Sequence, residues 1–426
     1  MNEIEISEKL KEYVFSLTII DTHEHLPLWE SEREKETDVI KEYLSHYFNS
    51  DLLSSGLSPA DYEKALDVRL PILERWRLLE PYWEICRLTG YGRSLDIAAK
   101  GLYGIEQIDG TTIESLNEEF KKSFKPGWFR YVLKERSKIE TSLLHKECIY
   151  FDADKDLYTI VLHTDSIVWP RFFSEINEIG SCAGISICSF DTWLEAVDKL
   201  LETAIKNGVR IFKNALAYSR SLKYDRRTRQ EAEASFNKLF TVKHIPTWLD
   251  DAICPEIAFQ DYMMHYILAY ANRNNITFQY HTGIHEGNGN FINNSDPALL
   301  SNLFLEYPDV DFDIFHIGFP FEKSAGVLAK NFPNVYLDMC WAHMISPVAS
   351  VWALYEWLDY VPVNKISAFG GDYLFIDAVY GHQLMAREDV CKTLSMKIKD
   401  KAFGIDKACE IAEMLFYKNP KKIFKL

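Results

Sequence analysis

The segment Ile20-Asp21-Thr22-His23-Glu24-His25 places two histidines two positions apart, just after the apolar run Ser16-Leu17-Thr18-Ile19-Ile20. On a β-strand, residues i and i+2 face the same side, so His23 and His25 would aim both imidazoles at one point beyond the strand end. That spacing can grip a metal ion. A His-x-His string also occurs by chance on solvated strands, so the pair needs support from elsewhere in the chain. The C-terminal half supplies it, because predicted strands there end repeatedly on ionisable residues: Lys213, His281, His316, Asp338 and Asp372.

Such residues can cooperate only if a frame brings strand ends together. Short β-rich runs are predicted at 139–144, 158–163, 209–213, 276–281, 312–316, 335–338 and 366–372, and the run before His23 makes eight. Helical patterns fall between them at 192–206, as a pair within 226–274, and at 297–306, 322–331 and 349–360. Nearly continuous apolar strands separated by helices are the pattern of a parallel sheet buried on both faces. A doubly wound open sheet gives a similar alternation but offers ligands mainly at its switch point. Seven polar positions at carboxyl ends favour an α/β fold of the (β/α)8 TIM-barrel type, whose site lies at that mouth. Residues 30–139 show helical spacing throughout, as in Leu73-Glu74-Arg75-Trp76-Arg77-Leu78-Leu79-Glu80. They are expected to form a helical insertion subdomain after the first strand, with 1–29 and 140–426 as the barrel. Tyr82, Trp83, Tyr91 and Arg93 within it are either a lid over the mouth or subdomain core.

The composition narrows the partners. With 426 residues and 47% hydrophobic content the chain can bury a large core, and a formal charge of -16 argues against nucleic acid. A small-molecule substrate is expected. The acidic start Met1-Asn2-Glu3-Ile4-Glu5 lacks signal-peptide order and no apolar run approaches ~20 residues, so a cytoplasmic protein without membrane contact is expected. The eight cysteines show no Cys-x-x-Cys pair and read as reduced thiols, Cys340 as a small buried hydrophobe. Pairing into a homo-oligomer is compatible with all of this.

The set His23-x-His25, His281 in Phe278-Gln279-Tyr280-His281-Thr282-Gly283, His316 in Phe315-His316-Ile317-Gly318, and Asp372 in Gly370-Gly371-Asp372 resembles the amidohydrolase superfamily of metal-dependent barrels. Its texture is closest to the amidohydrolase-related branch that includes decarboxylases and lactonases. Lys213-Asn214-Ala215-Leu216-Ala217-Tyr218-Ser219-Arg220 and Asn334-Val335-Tyr336-Leu337-Asp338 resemble the amidohydrolase-like region fused to glutamine-synthetase-like proteins. The helical insertion is similar to that of uronate isomerases, more distantly.

Imidazoles and a carboxylate suit Zn, with Mn, Fe or Ni as alternatives. His23, His25 and His281 would supply nitrogens and Asp372 a charge, with His285 as a substitute for His281. The resemblance implies that Asp372 also takes a proton from water whose pKa the metal lowers. His316 is the candidate for polarising a carbonyl or shuttling a proton. The resemblance further implies that Lys213 is either carboxylated and bridging two metals or a substrate-orienting lysine, and one ion per chain is favoured over two. Arg220 offers a bidentate grip on a substrate carboxylate, with Tyr218 beside it, although an exposed surface arginine is the default for such a residue. Asn288 and Asn290 lie in a Gly-rich loop that matches no phosphate-binding pattern.

The expected activity is metal-dependent hydrolysis of an amide or lactone centre on a small, carboxylate-bearing substrate. A decarboxylase on the same site is the alternative. So is a uronate-isomerase-like sugar-acid isomerase, although the loop after His281 lacks the arginine and asparagine run expected for one. A catalytically silent binding module would show a missing ligand, and none is missing.

Overall fold

A computed structural model describes residues 3–147, 149–240 and 256–426. Eight strands form one parallel sheet in sequence order: β1 (Ile19–Glu24), β2 (Ile139–Glu147), β3 (Tyr158–His163), β4 (Ile211–Asn214), β5 (Thr277–Tyr280), β6 (Asp311–Ile314), β7 (Val335–Asp338) and β8 (Ile366–Ser367). With helices packed around it, the sheet curls into a (β/α)8 barrel. The last edge meets the first through the segment after β8. Thr22 N donates to Phe369 O at 3.0 Å, Asp372 N to His23 O at 2.8 Å, and His25 N to Tyr373 O at 3.1 Å. Gly371 N adds a bond to Asp21 Oδ1 at 3.0 Å and Tyr373 N one to Glu24 Oε2 at 2.8 Å. A Cβ at Gly371 would stand 1.7 Å from Glu24 Oε1, so this close approach of backbone to side chain requires glycine.

Register sets which residues share a level. Lys213, Gln279 and Asp313 lie in one row across β4, β5 and β6. At the lower end of the barrel, Leu143, Val161 and Ile211 pack against Ile423 and Phe424, and Thr277 Oγ1 bonds Ile423 O at 2.7 Å. The C-terminal tail thus plugs the bottom of the barrel and leaves chemistry to the other end.

Every described element between β1 and β2 is helical, from Val39–Ser45 to Tyr131–Arg136. Arg75 ties this segment together. Its buried guanidinium pairs with Asp38 and also donates to Ala65 O at 3.1 Å and Leu70 O at 3.2 Å. Trp83 is fully buried against Phe48 and Trp76 and donates to Ile108 O, so it is core and not a lid.

Several strand ends differ from the expected ones. β2 runs to Glu147 and not to Leu144, whereas β5, β6 and β8 stop before His281, His316 and Asp372. His316 and Asp372 have left-handed backbones, φ 62° and 63°, which ends pairing and turns the chain at the mouth. The helix 192–206 begins at Phe190 because Ser189 and Thr192 form a reciprocal cap. A 24-residue helix, Ile376–Lys399, went unpredicted because it is buried on most sides and shows little amphipathic contrast. Residues 241–255, within the expected helical pair, lie outside the described residues. No described helix is long and apolar enough to cross a membrane.

Candidate functional site

A cavity of about 380 Å³ opens at the carboxyl ends of the strands. The chain turns sharply around it, since Tyr47 and Trp341 join His316 and Asp372 at positive φ. Tyr47 and Asp372 line the cavity directly, and strained backbone of this kind is found where geometry serves function.

β1 and the segment after β8 supply its centre. His23 Nε2 and His25 Nε2 lie 3.1 Å apart, and Asp372 Oδ1 is 3.5 Å from the first and 3.1 Å from the second. Metal–nitrogen and metal–oxygen bonds of ~2.0–2.2 Å put neighbouring ligands roughly 3.0–3.5 Å apart, so this donor triangle fits a divalent transition metal. Burial alone would raise the Asp372 pKa, but the facing imidazoles, His23 first, hold its carboxyl well below the usual range. Burial, assisted by Lys213, pushes His23 well down, which keeps the ring neutral and able to donate a lone pair.

Asp372 turns its other oxygen to the far side, 3.6 Å from His316 Nε2. His316 Nδ1 bonds Cys340 O at 3.0 Å and His281 Nε2 bonds Ile284 O at 2.9 Å. A carbonyl accepts only, so both outer nitrogens carry protons. The inner ones, His316 Nε2 and His281 Nδ1, then present lone pairs to each other at 3.1 Å. That contact is repulsive unless a cation or proton lies between them. Burial drives the His316 pKa to about 3 and that of His281 well down, so a proton does not stay there near neutrality. His281 faces His316 and does not join the His23–His25 pair.

Lys213 reaches the cavity floor almost fully buried, its Nζ 3.4 Å from the centre of the Phe315 ring. Burial outweighs Asp372 and lowers its pKa to about 8. Below it, Asp338 does not reach the cavity. Burial raises it to about 7 and Asp313 beside it well up, as two carboxyls sharing a proton. Tyr218 lines the cavity, packs on His281, and accepts from Glu286 N through its hydroxyl at 3.0 Å. Arg220 does not reach it. Its guanidinium is spent on Asp261 at 2.8 Å, Gln260 at 3.0 Å and two carbonyls, and lies over Tyr224. It is neither the expected carboxylate grip nor a surface arginine. Asn288 also turns away, bonding Ser54 Oγ at 3.0 Å. Tyr91 sits behind the wall, stacked on Tyr47.

Among the lining residues that went unpredicted are His46 and Tyr47 from the helical segment, His145 on β2, His163 at the end of β3, Asp165 and Arg171 after it, and Glu286 after β5. The sequence carried a signal for His163, which closes the run predicted at 158–163, and for His145, which an unbroken reading of β2 past Leu144 would have placed at the mouth. His163 Nε2 is 3.1 Å from Asp165 Oδ2, and Asp165 Oδ1 accepts from Asn214 Nδ2 and Ala215 N. Two larger clefts, of about 640 Å³ beside Lys11 and Glu388 and about 620 Å³ beside Arg33 and Lys121, contain none of the His-rich groups found among the described residues.

The chain is 29% identical over 153 residues to Protein fluG of Emericella nidulans, covering 36% of this chain and 18% of that protein. It is 36% identical over 74 residues to a uronate isomerase of Caldanaerobacter subterraneus, covering 17% of this chain and 15% of the relative. These matches therefore span less than a fifth of the length of either curated relative. The uronate isomerase structure from Thermotoga maritima superposes with a TM-score of 0.79 over 99% of this chain and 97% of that one, at 16% identity, a likeness of fold. The amidohydrolase family model matches residues 191–426, more than half of the sequence, and the chain belongs to that family.

Proposed function

We propose that this barrel is a metal-dependent hydrolase that cleaves an amide or lactone centre of a small carboxylate-bearing substrate. The observation that carries it is the convergence of His23 Nε2, His25 Nε2 and Asp372 Oδ1 at 3.1–3.5 Å on one point of the cavity. These three would hold the ion, and Zn suits the set, with Mn, Fe or Ni as alternatives. When bound, such an ion polarises a carbonyl and makes water acidic enough to attack near neutral pH.

The chain's own residues do the rest. Asp372 Oδ2 accepts the proton of the attacking water and, with His316 Nε2 beside it as relay, returns it to the departing amine nitrogen or alkoxide oxygen as the C–N or C–O bond breaks. Cys340 O fixes the His316 tautomer. Lys213 Nζ, buried at the cavity floor and still charged near pH 7, orients the substrate carbonyl or carboxylate. Arg171 at the rim takes the carboxylate-gripping role that Arg220 cannot fill.

A second reading is sugar-acid isomerisation. It is favoured by the entry of His46 and Tyr47 into the cavity from the helical segment, together with the whole-chain likeness to uronate isomerases. Mass spectrometry of products from the metal-loaded protein separates the readings. Hydrolysis of amide and lactone panels adds the mass of water, decarboxylation of aromatic acids loses carbon dioxide, and conversion of hexuronates leaves mass unchanged. The hydrolase reading expects the first, abolished in Asp372→Asn. A product of unchanged mass from a hexuronate, with amides and lactones untouched, would overturn it.

A further inference from the structure

We propose that His145 is a ligand of the same ion, so that β2 contributes to a centre otherwise built from β1 and the segment after β8. The inference rests on the metal reading above. Glu24 pairs with Leu144 across β1 and β2, so His145 stands level with His25. Its ring centre is 4.8 Å from that of His25 and 5.2 Å from that of His23. One ligand-capable nitrogen from each of the three rings lies within 4.8 Å of the others.

His145 is only 6% exposed, and neither of its ring nitrogens has a hydrogen-bond partner among the described residues. Burying an imidazole so completely without a partner is costly unless something absent from the polypeptide satisfies it. The other ring that packs on His145, His163, is already engaged with Asp165. No hydrogen bond opposes rotation of the His145 ring toward His23 and His25. The site would then hold its ion with about three imidazoles and one carboxylate, leaving room for water and a substrate oxygen.

The test uses the full chain loaded with cobalt(II), with affinity read by chelator competition and imidazole ligands counted by X-ray absorption. The wild type is expected to show about three imidazoles, and His281→Ala the same number. His145→Ala and the polar replacement His145→Asn are each expected to lose about one, with affinity down ~10²-fold or more. Removal of an outer-shell partner typically costs about 10–100-fold and leaves the imidazole count unchanged, so the lost imidazole separates the two roles. An imidazole count and affinity unchanged in both His145 variants, with binding abolished in His23→Ala, would overturn this inference and leave the metal reading intact. About two imidazoles in the wild type would overturn it even if the variants fail to fold. No cobalt bound to the wild type, or full binding in His23→Ala, would sink the metal reading together with it.

Discussion

Lys213 carries the sharpest conflict between stability and chemistry in the molecule. Its ammonium is almost fully buried, and burial lowers its pKa from 10.5 to about 8. The folded state therefore binds fewer protons than the unfolded chain between about pH 8 and 10.5, and wild-type stability should rise with pH across that window. Below pH 8 both states are protonated and the full cost of burying the charge remains. Lys213→Met should thus stabilise the metal-free protein at pH 7 by up to about 3 kcal/mol, the gain fading toward pH 10.5, while turnover is lost. Urea titrations at several pH values measure this, and a destabilised variant at pH 7 would contradict it. How far such residues could be read beforehand depends on where their partners lie. His23 and His25 were legible because both sit on one short strand. Arg220 was misread because its partner Asp261 is 41 positions away, on the helix Ile257–Asn274. His145 was passed over because Lys146 and Glu147 follow it, which gave the strand an earlier apparent end.

Among the elements, the helical segment between β1 and β2 does more than cover the barrel. It sends His46 and Tyr47 into the cavity, and Tyr47 stacks on Trp341 at 4.5 Å and on Tyr91 at 5.6 Å. Helical periodicity revealed the segment but not this contribution, since the pair sits at a break between two short helices where spacing carries no information. Positioning the pair depends on the buried Arg75–Asp38 bond that joins the start of the segment to its middle. Arg75→Ala leaves the Asp38 charge buried and unpaired, which should cost about 3–5 kcal/mol. Substrate affinity should fall more than metal affinity, because the proposed ligands all stand on the barrel. Parallel measurements of thermal unfolding, KM and cobalt binding would show this, and equal losses of substrate and metal affinity would contradict it. The eight strands themselves were legible because each is a short apolar run buried on both faces. Their exact ends were not, because left-handed turns at His316 and Asp372 leave no hydrophobic trace.

Across the whole molecule, the proposed ligands straddle the barrel's seam, with His23 and His25 on one side and Asp372 on the other. An ion bound at both sides should stiffen that junction and add about 2.7 kcal/mol of stability at a hundredfold excess over its dissociation constant. Hydrogen exchange at the amides of Thr22, His25 and Asp372, which bond across the seam, should slow on metal loading and quicken with chelator. Unchanged exchange at all three would place the ion elsewhere.

The seam also fixes the order in which the protein can be completed. Thr22 and Phe369, which bond directly across it, are 347 positions apart in the chain. As synthesis proceeds, the nascent polypeptide exposes His23 and His25 early and holds them as an open pair until Gly370-Gly371-Asp372 emerges. With the proposed ligand set, capture of an ion would therefore be a late event, closing the ring rather than seeding it. Any fragment that ends before residue 372 lacks its carboxylate ligand and the last bonds of its barrel together.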